Sequence, residues 1–195
     1  IEAVGKLEDT KEDFGLPLYP YQKVGCQFMV TSGSCLNACD VRLGKTLMAL
    51  ATIKKLKTKT NLVIVPGSVI FQWESEANRW LPEFKTFVVT GTQKERMKIY
   101  SEIKNCKESF IVFISYDLVR IDIASLLPWN WETLIADEVH RLGNIRTKRY
   151  KAISKISQKS KHRYGLSATP MMNRPLELFG ILNWISPNCL GDWFS

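Results

Sequence analysis

Apolar and polar positions alternate in blocks along this chain. Short apolar runs recur at Cys35–Cys39, Asn61–Val65, Thr86–Thr90, Phe110–Ser115, Thr133–Ala136 and Tyr164–Ser167. Stretches with helical spacing separate them: Pro20–Val30, Lys45–Lys57, Val69–Trp80, Gln93–Cys106, Asp117–Leu126, Lys148–Ser157 and a last one at Pro175–Ile185. Strands alternating with helices of about ten or more residues predict an α/β fold, a mostly parallel central sheet with helices on both faces. Leu62-Val63-Ile64-Val65 and Phe110-Ile111-Val112-Phe113-Ile114 are unbroken apolar runs. That is the pattern of strands buried on both sides. In such sheets ligands sit at the carboxyl ends of the strands. Gly44-Lys45-Thr46, Asp137-Glu138 and Ser167-Ala168-Thr169 each follow an apolar run, so all three point to one sheet edge, with the lysine turn and the acid pair expected face to face on adjacent strand tips.

Composition narrows the class. The chain has 195 residues, 45% of them hydrophobic, enough for one domain with a sizeable core. No apolar run approaches the roughly 20 residues of a membrane span. The polar start, Ile1-Glu2-Ala3-Val4-Gly5-Lys6, is no signal peptide, and the missing initiator Met suggests a processed or excised piece. Residues 1–16 read as a loose polar lead-in and 17–195 as the folded unit. The five cysteines lack zinc-knuckle spacing and fit free thiols in a reducing cytoplasm or nucleus. The net charge of +8 favours a polyanionic partner. Between Val139 and Leu176 there is no acidic residue at all. In that stretch Lys148, Lys151 and Lys155 share one side of a helix, as either a solvated face or a phosphate-facing patch.

The candidate chemistry lies at the predicted edge. Leu43-Gly44-Lys45-Thr46 enters a helix. Gly44 permits close backbone approach, the helix-start amides suit anions, Lys45 can neutralise phosphate, and the Thr46 hydroxyl can hold Mg²⁺. The usual first glycine of such a loop, five residues before Gly44, is Cys39 here. An ordinary strand-to-helix turn is the alternative. Asp137 and Glu138 are adjacent carboxylates at a strand end. Asp137 can ligate Mg²⁺ and Glu138 can polarise an attacking water. A helix cap is the bland alternative. Ser167 and Thr169 are small hydroxyls that can relay nucleotide state by exchanging hydrogen-bond partners, or simply part of a turn closed by Pro170. Gln22 offers one donor and one acceptor, which suits an adenine edge. Loops after strands, with their amides and hydroxyls, suit nucleic-acid phosphates. Ser68, Thr90, Gly91, Ser115 and Tyr116 occupy such loops. Trp73 and Trp80 read as core residues of an amphipathic helix rather than stacking platforms.

From about Leu16 to Phe194, these motifs resemble in order and spacing the first RecA-like lobe of superfamily two helicases, in the Swi/Snf-like branch of DNA translocases. Leu18 to Gln22 is similar to that family's adenine-reading motif, with Tyr19 where a basic residue is common. Asn37 to Thr46 resembles its motif I, with Arg42 where a further glycine is usual, a variant that resembles viral and prophage members, so a viral or prophage source is one expectation. Leu62 to Ser68 with Gln72-Trp73-Glu74 looks like motif Ia. Val88-Val89-Thr90-Gly91 matches the next strand and turn. Ile114-Ser115-Tyr116-Asp117 is similar to the Thr-Ser-Tyr motif that touches the DNA backbone. WETLIADEVHRLGN, from Trp131 to Asn144, is close to motif II, with Val139 replacing alanine. RYGLSATPMMN, from Arg163 to Asn173, is close to motif III.

The resemblance implies a RecA-like P-loop NTPase domain that uses ATP and Mg²⁺ and tracks along DNA, expected as duplex. Lys45, Asp137, Glu138 and His140 would be catalytic, with His140 coupling the nucleotide to motif III. Gln22, Leu43, Gly44, Lys45 and Thr46 would bind nucleotide. A second RecA-like lobe, carrying arginine fingers, is expected in a parent chain, so this lobe alone should be weak or inactive as an ATP hydrolase. An RNA helicase lobe, a restriction-enzyme motor lobe, and a nucleic-acid-binding module without turnover stay open as alternatives. The expected setting is intracellular, with no membrane.

Overall fold

The computed structural model describes residues 12–171, 175–187 and 189. Its strands are β1 (Ser34–Asn37), β2 (Thr60–Val65), β3 (Lys85–Val89), β4 (Phe110–Ser115), β5 (Thr133–Asp137) and β6 (His162–Leu166). They form one sheet in the order β1-β6-β5-β2-β4-β3, and every pairing is parallel. The helices are α1 (Pro20–Ser32), α2 (Lys45–Leu56), α3 (Ile70–Trp80), α4 (Gln93–Asn105), α5 (Tyr116–Ile121), α6 (Ile123–Leu126), α7 (Lys148–Ser157) and α8 (Pro175–Ile185).

The pleat explains the unbroken apolar runs. Successive side chains on a strand face opposite ways. Leu62, Ile64, Val112, Ile114, Leu134 and Ala136 pack on one face, against α4 to α8. Val63, Val65, Ile111, Phe113 and Ile135 pack on the other, against α1 to α3. Both faces are covered, so neither phase of these strands is polar. Each fully buried aliphatic or aromatic side chain contributes about 1.5–3 kcal/mol.

Two expectations change. The helix expected over Asp117–Leu126 is broken at Asp122, which has φ −99° and ψ 21°. The buried Asp122 carboxylate accepts from Arg96 Nε at 2.6 Å and Nη2 at 2.9 Å, and from the Tyr100 hydroxyl at 3.1 Å. A buried charge this dry is tolerated only when paired and hydrogen-bonded. Asp122 holds Arg96 protonated above its usual range, and burial first and then the Asp122 charge push the Tyr100 hydroxyl up, against the pull of Arg96. The polar lead-in is also shorter than expected. Phe14 is 3% exposed and joins the core beside α2. Lys55 lies 5.6 Å from its ring centroid and pairs with Glu12 at 2.9 Å. Packed structure is therefore present from residue 12. Residues 1–11 lie outside the described set.

Candidate functional site

The carboxyl edge of the sheet carries the expected groups. β1 ends two residues early, because the Asn37 side chain accepts from the Cys39 amide at 3.1 Å and turns the chain. The Asn37 carbonyl accepts from Ser167 N at 3.2 Å, tying this turn to the end of β6. The chain then loops into α2 through two left-handed residues, Arg42 at φ 62° and Gly44 at φ 77°. A Cβ at Gly44 would also strike the Gln22 amide, so backbone angle and space both demand glycine there. Lys45 Nζ donates to the Cys39 and Asp40 carbonyls, each at 2.9 Å. α2 has no side-chain cap. Its first amides thus face the loop without an intrahelical partner, at the positive end of the helix. Gln22 is buried. Its Nε2 donates to the Leu43 carbonyl at 3.2 Å and its Oε1 accepts from Tyr19 N at 3.0 Å. It thereby joins the start of α1 to the lysine-bearing loop, with both ends of its amide engaged inside the chain.

The acid pair closes β5. Asp137 Oδ2 accepts from the Trp73 indole at 2.9 Å, and Oδ1 from the Glu138 amide at 3.0 Å. Burial raises the Asp137 carboxyl above its ordinary range. The Trp73 bond opposes this, the Glu138 charge adds to it, and Lys45 pulls it back down. Glu138 stands at φ 50°, ψ 52°, a left-handed conformation that costs a non-glycine residue about 1–2 kcal/mol. Such strain gathers at functional positions. Its carboxylate lies 3.2 Å from His140 Nδ1, and the same nitrogen lies 3.3 Å from Ser167 Oγ. Ser167 is buried and accepts from Thr169 N at 3.2 Å. His140 therefore stands between Glu138 and the hydroxyl at the end of β6.

One expectation about this edge is corrected. The lysine loop and the acid pair were placed on neighbouring strand tips, yet β6 runs between β1 and β5. The two motifs share one rim and flank the tip that bears Ser167. Parallel pairing through β6 on both sides decides this. The residues present fit a magnesium–triphosphate: uncapped helix amides, a lysine held by loop carbonyls, the half-buried Thr46 hydroxyl, and the Asp137 carboxylate.

The loop residues expected at nucleic acid divide. Ser68, Thr90 and Gly91 are exposed beyond β2 and β3. Arg96 Nη1 donates to the Gly91 carbonyl at 2.8 Å, so the buried Arg96–Asp122 pair holds that turn. Ser115 caps α5 through Leu118 N at 3.4 Å. Tyr116 departs from expectation. It is 2% exposed, and its hydroxyl donates to the Asp137 carbonyl at 2.6 Å, so its phenol faces inward and no phosphate can reach it. Arg141 and Arg149 each lie 5.7 Å from its ring. Lys148, Lys151 and Lys155 are exposed on α7. Asn173 lies outside the described residues. Two roles were missed in the sequence. Trp73 is core, as its spacing says, but its indole also holds Asp137. Arg96 sits on the buried stripe of α4 with Tyr100 and Ile103, and a charge in that phase was the available signal. All five cysteines are free, and burial pushes the Cys26 and Cys35 thiols up to about 12.

Comparison with known proteins fits this edge. The chain matches the family described as SNF2-related domain over residues 21–195. The chain belongs to the SNF2-related family. This SNF2-related chain is 34% identical over 194 residues to Switch 2 of Arabidopsis thaliana, covering 89% of the chain and 22% of that protein. It is 29% identical to the ISWI chromatin-remodeling complex ATPase ISW1 of Saccharomyces cerevisiae, covering 91% of the chain and 17% of that protein. Among solved structures, the Sulfolobus solfataricus SWI2/SNF2 ATPase core in complex with dsDNA matches at TM-score 0.81 and 28% identity, over 96% of this chain and 39% of that one. The expected RecA-like lobe of this family is thus the observed fold. The chain spans less than a quarter of the length of these two curated relatives, at 22% and 17%. Among the described residues, no helix is long and apolar enough to cross a membrane.

Proposed function

We propose that this chain is the ATP-binding lobe of a DNA-dependent ATPase that moves on duplex DNA or remodels protein–DNA complexes. One observation carries the reading. In a member of the SNF2-related family, the Lys45 loop and the Asp137–Glu138 pair flank the same strand tip. Lys45 and the α2 amides would bind the triphosphate. Thr46 and Asp137 would hold magnesium. That bound pair would supply the phosphoanhydride and the divalent charge that polarises it. Glu138 is the base that takes a proton from water, from a carboxylate 43% exposed. His140 exchanges its Nδ1 contact between Glu138 and Ser167, reporting the state of the site to the Ser167–Thr169 turn. Ser68, Thr90, Gly91 and Ser115, with the Tyr116 backbone, meet the phosphodiester chain.

The solved relative with bound dsDNA supports duplex DNA over RNA as partner, and the relatives named for chromatin remodelling support a chromatin setting. Those relatives come from Sulfolobus solfataricus, a yeast and a plant and lend no support to a viral source. A second RecA-like lobe completes the site. An arginine finger in trans contributes about 10³–10⁵ in rate. The chain alone should therefore hydrolyse ATP poorly. The test measures ATP hydrolysis with duplex DNA and with RNA, in this chain and in the intact protein. The reading expects strong duplex-stimulated turnover only in the intact protein. Equal stimulation by RNA would favour the RNA helicase alternative. Absence of ATP binding, unchanged by Lys45→Ala, would favour a binding module without turnover.

A further inference from the structure

The Trp73 indole is placed where only one job suits it. α3 packs on the sheet face opposite α4 to α8, and Trp73 is 2% exposed there, its ring centroid 6.4 Å from that of Phe113. Packing alone would be satisfied by any large aromatic. The indole N–H, however, reaches 2.9 Å to Asp137 Oδ2. An indole nitrogen donates and never accepts, so it can hold only a lone pair, never a proton, on that oxygen. The other oxygen is held by the Glu138 amide at 3.0 Å, and the Asp137 carbonyl by the Tyr116 hydroxyl at 2.6 Å. The carboxylate is thus fixed in rotation by two donors from two different elements. Trp80 makes the contrast. Its indole donates at 2.7 Å to Glu76, one turn back on the same helix, rather than to a carboxylate at the sheet edge.

We infer that Trp73 is a positioning residue that fixes the rotation of the Asp137 carboxylate for magnesium, and that α3 thereby couples the Pro66–Ser68 loop at its own start to the metal. This rests on the proposed role of Asp137 as magnesium ligand. A partner that orients a metal-binding carboxylate typically contributes about 10–100-fold in metal affinity. α3 follows directly on the turn Gly67–Val69, which carries the exposed Ser68. A displacement of that loop by nucleic acid would reach Asp137 through one rigid side chain.

The experiment uses Trp73→Phe, which keeps a packed ring and removes the N–H, with Trp80→Phe as matched control. The probe is a methylanthraniloyl ATP analogue, titrated by fluorescence anisotropy against the chain at stepped Mg²⁺ and in EDTA. The expected result is a rise of about 10–100-fold in the Mg²⁺ needed for half-maximal binding in Trp73→Phe. Binding in EDTA and the melting midpoint should stay unchanged, and Trp80→Phe should match wild type. A Trp73→Phe chain with wild-type Mg²⁺ dependence, beside an Asp137→Ala chain that loses it, overturns the inference and leaves the proposed function standing. An Asp137→Ala chain with unaltered Mg²⁺ dependence overturns both. Equal weakening with Mg²⁺ and in EDTA marks a structural role only, and also overturns the inference. Should Trp73→Phe fail to fold, the wild-type chain carries the test through its indole N–H resonances. One of them should move in Asp137→Asn, and the same one on adding Mg²⁺ with nucleotide but not nucleotide in EDTA. A resonance set indifferent to both refutes the inference.

Discussion

The two halves of the candidate site are built in opposite ways. The acid tip of β5 is held from every side before any ligand arrives. Trp73, the Glu138 amide and the Tyr116 hydroxyl fix Asp137, and His140 links Glu138 to Ser167. The Cys39–Thr46 loop is held mainly by itself. Its lysine bonds its own carbonyls, its helix has no side-chain cap, and two of its residues have positive φ. From outside, Gln22 holds the Leu43 carbonyl and Asn37 the Cys39 amide. On the proposed function, the difference teaches which half a nucleotide would complete. Metal geometry tolerates little error, and a metal-binding Asp137 would be preorganised by the core. Phosphate oxygens could replace carbonyls on Lys45 and fill orphan amides, so that loop would take its final bonds from the ligand.

This contrast can be broken or sharpened. The largest expected effect is Lys45→Ala. Loss of charge-assisted bonds to phosphate should weaken triphosphate binding by about 100-fold or more, with or without Mg²⁺. Calorimetric titration with and without EDTA checks this, and the melting midpoint should not fall. If folding fails instead, the loop is no more independent than the acid tip. Next comes the packing beneath the acid tip. Gly165 faces Val139, and a Cβ there would meet both Val139 methyls at 3.0 Å. Val139 fills the space that a missing side chain leaves. Val139→Ala should cost about 1–3 kcal/mol through a cavity, and Gly165→Ala a similar amount through crowding. The double variant should recover about 0.5–3 kcal/mol relative to their sum, measured by urea unfolding. Strict additivity would show that the pair does not share a space.

Tyr116→Phe removes the donor to the Asp137 carbonyl in a buried setting. It should cost about 1–3 kcal/mol of stability while leaving Mg²⁺-free nucleotide binding intact. An unchanged unfolding midpoint would remove Tyr116 from the brace. The smallest effect is expected at Arg42. Replacement by glycine relieves a left-handed non-glycine residue, offset by the freedom glycine gains when unfolded. The net should be a gain of about 0.5–1 kcal/mol. A loss of that size would mean that the arginine side chain contributes enough to outweigh its strain.

Much of this was written locally in the chain. Each strand run was apolar in both phases, which only a sheet covered on both faces satisfies. Gly44-Lys45-Thr46 and Asp137-Glu138 were legible because a strand end fixes where the next residues emerge. The broken helix at Asp122 was not legible. The partner that Asp122 finds there, Arg96, lies 26 positions away and meets it only once both are buried. Tyr116 was read as a surface residue because its motif sits in a loop. Its inward turn depends on the Asp137 carbonyl 21 positions on.

By itself the sequence determined the element series, the parallel sheet and the edge on which the chemistry gathers, since periodicity and strand ends are properties of neighbours along the chain. The tertiary structure decided that β6 stands between the lysine loop and the acids, that Phe14 belongs to the core, and that the Trp73 indole holds Asp137. Those depend on which strands pair and which buried polar groups find partners, and burial leaves such groups no water to choose instead.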